Sequence, residues 1–153
     1  MLYIKPRSWL SWDFTVFRGD RLLAEIDQHW FREEAEVTVG GTTCALYREG
    51  MLGAFVLSID GQPVARALKP HLFHRRFEIT FEDQAYTLEA VSAFSRAFRL
   101  RSSTEDLGTI TPENALTRRA LVDLDDRVPA EVQLLSIWLV ILMWRRASAA
   151  ATS

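Results

Sequence analysis

The feature that most constrains this chain is a run of thirteen almost wholly apolar residues near its C-terminus, Val132 to Trp144. Pro129 and Glu131 lie at its start and Arg145-Arg146 follows it, an arrangement typical of a helix with favourable charges at both ends. A helix that is apolar on every side must be buried on every side. The sequence therefore predicts a buried helix over about residues 129–146.

Two kinds of burial are open to this helix, a membrane and the interior of the protein. At about 1.5 Å per residue the apolar run is too short for a bilayer core of about 30 Å. We therefore predict an internal helix and no transmembrane span, with a membrane tail anchor as the alternative. The small, polar residues 147–153 are predicted to be a disordered tail.

Short runs of alternating apolar and polar residues, separated by turn residues, fill the rest of the chain and predict about twelve strands. Gly40-Gly41 and Asp60-Gly61 are typical of two-residue hairpin turns. The strand that leads into the Asp60-Gly61 turn is predicted over Leu52 to Ile59. Because turns recur every few residues, the fold class is mainly β, a closed antiparallel β-barrel of about twelve strands around the C-terminal helix. Residues 1–146 form one domain.

Composition narrows the classes of function. The formal net charge is −2, so no general attraction to nucleic acid is expected. A single cysteine, Cys44, is consistent with a reducing compartment, and the N-terminus lacks the apolar stretch of a signal peptide. A cytoplasmic protein, peripheral to the membrane, is the expectation.

No motif in the chain is typical of an enzyme, and no catalytic residue is predicted. The strand position of Cys44 favours a buried, inert thiol. His71 and His74 have a spacing found in metal sites, but no cysteine or third histidine lies near them. Neither a metal nor a cofactor is therefore expected.

One local cluster of basic residues stands out, Lys69, His71, His74, Arg75 and Arg76. Arginine binds phosphate through two parallel hydrogen bonds, so the cluster is a candidate site for an anion or a lipid headgroup. The alternative is a solvated connection between strands. Arg99 and Arg101, on one face of a later strand, are expected to pair with glutamates of the neighbouring strands.

The strand spacing from Trp12 to Leu124 and the terminal segment from Val128 through Arg146 resemble the tubby C-terminal-like superfamily. That superfamily includes tubby proteins, plant LURP-one-related proteins and phospholipid scramblases, and the chain is most similar to small bacterial members of unknown role. The resemblance implies a twelve-stranded barrel around a hydrophobic helix. No segment matches the phosphoinositide-binding residues of tubby proteins or the calcium-binding region of scramblases, so no functional residue is transferred.

These patterns favour a non-catalytic binding module for anionic phospholipid or for a protein partner at the cytoplasmic face of the membrane. The alternative is a structural or protein-interaction domain without a small ligand. An enzyme ranks last, because a barrel filled by a helix leaves no interior pocket for a substrate.

Overall fold

Strands of five to eight residues, most of them with alternating burial, account for about half of the chain. The structure, a computed structural model, describes residues 1–29, 32–70 and 74–152. Its elements are β1 (Leu2–Pro6), β2 (Phe14–Arg18), β3 (Arg21–Gln28), β4 (Ala35–Val39), β5 (Thr42–Arg48), β6 (Phe55–Ile59), β7 (Gln62–Leu68), β8 (Arg76–Phe81), β9 (Gln84–Ala90), β10 (Phe98–Ser102), β11 (Asp106–Pro112), β12 (Ala120–Leu124) and α1 (Ala130–Thr152).

Each strand pairs with the strands next to it in the chain, and the first strand pairs with the last. β1 and β12 are antiparallel, with Leu2 opposite Val122 and Ile4 opposite Ala120. The sheet is therefore a closed barrel of twelve strands. The predicted fold class is confirmed.

The two ends of the barrel differ in how the strands are connected. At one end, here called the turn end, the connections are short: residues 19–20, 40–41, 60–61, 82–83, 103–105 and the link 125–129 into the helix. Gly40 and Gly41 have φ values of 54° and 86°, as the predicted hairpin turn requires. At the other end, the loop end, six longer loops connect the strands: residues 7–13, 29–34, 49–54, 69–75, 91–97 and 113–119.

The helix α1 runs through the barrel from the turn end to the loop end. Its residues Leu135 to Trp144 are all buried, and Trp138 is fully enclosed by the strands. Inward-facing side chains such as Phe14, Phe55 and Phe77 complete the core around it. The apolar run that dominated the sequence is thus covered by the sheet, as a helix without a polar face requires.

The helix is longer than the sequence predicts. Residues 147–152 continue it beyond the loop end as an exposed helical extension, where a disordered tail was predicted. Alanine has the highest intrinsic helix propensity, so an alanine-rich segment extends a helix that is already nucleated. By length and composition alone, Ala130–Thr152 is also long and apolar enough to cross a membrane, and 56% of its most apolar stretch is buried inside the protein.

Candidate functional site

Three loops at the loop end contain the same tight turn. The backbone N–H of Ser11 donates to the carbonyl of Ser8 at 3.2 Å, and the N–H of Ser95 donates to that of Ser92 at 3.2 Å. The Thr117 N–H donates to the Asn114 carbonyl at 3.4 Å in the third loop. A hydroxyl at the end of each turn accepts a second backbone hydrogen bond, such as that from Ala97 to Ser95 Oγ at 3.0 Å. The two central residues of each turn therefore project away from the barrel.

An arginine in each of three successive loops holds the next loop around the barrel. Arg75 donates to the carbonyls of Ser92 and Ala93, at 3.0 and 2.7 Å. Arg96, one loop further, donates to the carbonyls of Ala115 and Thr117, at 3.0 and 2.7 Å.

Arg118 continues this series from the last loop to the first, where β12 pairs with β1 to close the barrel. Its guanidinium donates to the carbonyls of Ser8, Trp9 and Ser11 in the first loop. Because carbonyl groups are neutral, these hydrogen bonds order the loops while leaving the positive charge of each arginine uncompensated. Burial lowers the pKa of Arg118, as it does for Arg96, but an arginine remains charged in proteins.

Aromatic rings connect the loops to the helix. The guanidinium of Arg96 lies over the ring of Trp144 at 4.5 Å, and the Trp144 indole N–H donates to the Arg96 carbonyl at 2.9 Å. Arg118 lies over the ring of Trp12 at 5.2 Å. Such cation–π contacts fix the arginines in place beside the end of the buried helix.

Charge is distributed unequally between the two ends of the barrel. The six loops of the loop end, together with Arg145 and Arg146 of α1, carry nine basic and five acidic residues, whereas the connections of the turn end carry one basic and seven acidic residues. The loop-end residues are Arg7, Arg32, Lys69, Arg75, Arg96, Arg118, Arg119, Arg145 and Arg146, against Asp13, Glu33, Glu34, Glu49 and Glu113. The turn-end residues are Arg127, against Asp20, Asp60, Glu82, Asp83, Glu105, Asp125 and Asp126. A chain of nearly zero net charge thus has a positive end and a negative end.

The predicted basic cluster lies at the loop end, and the structure divides its members between two sides of one loop. His74, Arg75 and Arg76 line an open groove of about 320 Å³ together with Glu89 and the loop 91–97. Arg76, exposed at the start of β8, lies opposite Glu89 in the strand register. His71 lies outside the described residues.

Lys69 belongs to a different group. Burial and the nearby charges of Arg146 and Arg48 lower the pKa of Lys69. Arg146 binds both carboxylate oxygens of Glu33, at 2.6 and 2.7 Å, and Arg48 lies 3.5 Å from the same carboxylate. Lys69, Arg48 and Arg146 form the group called here the basic triad. Two of its cations, Arg48 and Arg146, contact the one carboxylate of Glu33.

Arg99 and Arg101, on the outer face of the sheet, form ion pairs with neighbouring strands. Glu89 lies 3.6 Å from Arg99 and 3.9 Å from Arg101, so the predicted pairing across the sheet is confirmed for one of the three candidate glutamates, Glu78, Glu82 and Glu89. Asp106 also contacts both arginines, at 3.8 and 3.2 Å.

Cys44 is buried, and burial raises the pKa of its thiol, which disfavours the reactive thiolate. Within the described ranges, no group of three or more metal-binding side chains occurs.

The contribution of the other loops to this end of the barrel was not predicted. One sequence signal could have revealed it, because apolar pairs recur about every 21 residues, at Trp9-Leu10, Trp30-Phe31, Met51-Leu52, Leu72-Phe73, Ala93-Phe94 and Ala115-Leu116. After the last three pairs, an arginine follows by two residues, at Arg75, Arg96 and Arg118. The second and fourth pairs lie outside the described residues.

No family model, curated protein or solved structure matches this chain.

Proposed function

We propose that this protein is a non-catalytic module that binds anionic phospholipid at a membrane surface through its loop end. The observation that carries the proposal is the charge difference between the two ends of the barrel. A surface of anionic lipid attracts basic groups by about 1 kcal/mol for each residue near it. The same surface repels the acidic turn end, so attraction and repulsion both place the loop end against the membrane.

The geometry of the arginines supports a surface-binding role. The series Arg75, Arg96 and Arg118 holds positive charge at fixed positions around the rim, and none of these guanidinium groups forms an ion pair with a carboxylate in the described part of the chain. Arginine side chains that are already ordered lose little conformational entropy when they bind a ligand. The resemblance to a superfamily that includes lipid-binding members favours the same function, as an analogy of fold alone. A protein-interaction domain is the competing proposal, and the experiments below separate the two.

Removing two exposed arginines from the loop end should weaken binding to acidic vesicles. Arg76 and Arg119 are exposed and lie at this end, outside the core. Arg76→Gln/Arg119→Gln should reduce the affinity for phosphatidylserine vesicles about 30-fold at low salt, from about 1 kcal/mol per charge. Vesicle co-sedimentation measures this affinity.

The matched control makes the same change of net charge at the ends of β2 and β3, beside the turn 19–20 of the turn end. Arg18→Gln/Arg21→Gln also removes two exposed arginines, so both variants have a net charge two units lower than the wild type. We expect this control to bind as well as the wild type. Equal losses in both variants would contradict an oriented mode of binding, and no binding by the wild type at low salt would exclude the lipid function.

The basic triad offers a spectroscopic test of a headgroup site. Lys5 and Lys69 are the only lysines, so ¹³C-methylation of lysines gives one signal from the triad and one from an exposed position on β1. Burial and the neighbouring cations lower the pKa of Lys69, and an anion bound beside them should raise it, because the anion favours the protonated ammonium. Affinity should then fall as pH rises through the Lys69 pKa, because only the protonated ammonium attracts the anion.

Soluble dihexanoyl-phosphatidylserine and inorganic phosphate serve as the two probes. A lipid-headgroup site should shift the Lys69 signal with the short-chain lipid at lower concentration than with phosphate, while the Lys5 signal changes little. An equal response to both probes would indicate a general phosphate site. If neither probe moves the Lys69 signal, the triad does not bind a headgroup.

A further inference from the structure

Large apolar side chains are exposed at the tips of the loops. Phe94 is 99% exposed, Leu116 is 97% exposed, Met51 is 88% exposed and Trp9 is 83% exposed. Leu10 and Leu52, the neighbours of Trp9 and Met51, are exposed as well. Scattered single apolar residues are normal on a protein surface, but these come from four different loops and all lie at the same end of the barrel.

The local backbone structure holds several of these side chains in exposed positions. Trp9 and Leu10, Phe94 and Leu116 occupy central positions of the repeated tight turns, whose backbone hydrogen bonds point them outward. The arginine series then fixes the positions of three of the loops, since Arg75, Arg96 and Arg118 each bind the carbonyls of the turn they face.

We propose that the apolar loop tips insert into the outer part of an anionic lipid bilayer, so that the barrel stands on the membrane with its axis along the bilayer normal. This proposal rests on the proposed function and adds a mode of attachment to it. Two of the loops have the order of a membrane interface, because an arginine follows the apolar tip by two residues, Arg96 after Phe94 and Arg118 after Leu116. Positive charge beside the tips matches an anionic surface.

A bilayer fits these tips better than a protein partner does. A side chain that is 97–99% exposed, as Leu116 and Phe94 are, stands apart from its neighbours, whereas the centre of a protein interface is a contiguous, closely packed patch. Fluid acyl chains can surround each separate tip. The helix extension, residues 147–152, consists of alanine, serine and threonine, so it brings no charged side chain into the interface.

Two substitutions at the tips should separate insertion from charge attraction. Phe94→Ser and Leu116→Ser, alone and combined, leave every charge in place and alter no buried side chain. Each single variant should bind phosphatidylserine vesicles about 10- to 100-fold more weakly than the wild type, because a buried Leu or Phe side chain contributes about 1.5–3 kcal/mol when it leaves water. The double variant should bind more weakly than either single variant. Leu22→Ser, an exposed leucine near the turn end, is the matched control and should bind as the wild type does.

Fluorescence quenching reports the depth of insertion directly. Lipids brominated on their acyl chains should quench part of the tryptophan emission of the wild type, and Trp9→Phe should reduce that part. Trp138 and Trp144 are buried and should not be quenched. A fraction of the wild-type protein should also stay bound at about 1 M salt, where charge attraction is screened beyond about 3 Å.

The outcomes distinguish this inference from the function on which it rests. If the wild type binds vesicles but salt releases all of it, bromolipids quench nothing and the double variant binds equally, insertion is wrong and charge-based lipid binding stands. If the wild type binds no vesicles, both proposals fail. If the wild type self-associates without lipid and Leu116→Ser is monomeric, the tips are an interface between copies of the chain, and insertion is overturned.

Discussion

Trp138→Ala should lower the free energy of unfolding by about 3–5 kcal/mol, the range for emptying a large site in a core. Trp138 is fully buried in α1, its ring meets that of Phe55 edge to face at 5.9 Å, and its indole N–H donates to Gln28 Oε1 at 3.3 Å. The substitution removes the ring and leaves the Gln28 amide with an unpaired acceptor. Urea unfolding followed by circular dichroism measures the change.

Ser136→Ala is the matched control in the same helix. Ser136 is also fully buried, but its hydroxyl finds no hydrogen-bond partner in the described part of the chain. Removing an unpaired buried hydroxyl is neutral or stabilising, so we expect a change within about 1 kcal/mol. A loss under about 1 kcal/mol for Trp138→Ala would mean that the helix is not enclosed by the strands.

Gly108→Ala should destabilise the barrel by about 3 kcal/mol or more, because backbone strain and a steric clash act together. Gly108 has a φ of +124°, where side chains are rarely tolerated, and a methyl group there would lie 1.9 Å from the Asp123 carbonyl oxygen. The residue lies on β11, opposite Leu100 on one side and Leu124 on the other. The close approach of two strands therefore depends on the absence of a side chain.

Gly41→Ala separates the two causes. Gly41 also has a positive φ, 86°, but open space surrounds the position of its missing side chain. We expect a cost of about 1–2 kcal/mol there, from strain alone. If the two variants lose equal stability in thermal unfolding, the clash at Gly108 contributes nothing, and β11 and β12 can move apart at no cost.

The strands and the helix could be predicted because local chemistry determines them. Gly40-Gly41 allows positive φ angles wherever it occurs, and the apolar run of α1 can be stable only when it is covered. Leu52 shows the opposite case. It was predicted to begin a strand, yet β6 begins at Phe55, because an apolar residue in a projecting turn has the same sequence pattern as a strand residue.

The properties of the loop end could be predicted only in part. The density of basic residues near Lys69 is visible in the sequence, but the contacts of Arg118 with Ser8 and Trp9 join residues more than a hundred positions apart. Such contacts exist only once β1 meets β12. The charge difference between the ends has another origin, since consecutive strands are antiparallel and alternate connections along the chain therefore belong to opposite ends of the barrel.

Closure of the barrel also limits how any peptide could bind. In an open sheet, the unpaired N–H and C=O groups of an edge strand accept an extended segment of another chain, the mode called β-augmentation. Pairing of β1 with β12 removes both edges, so the sheet offers no strand for such a segment to join. Recognition by this protein must use side chains and loops, and the same closure protects twelve short strands from edge-to-edge aggregation.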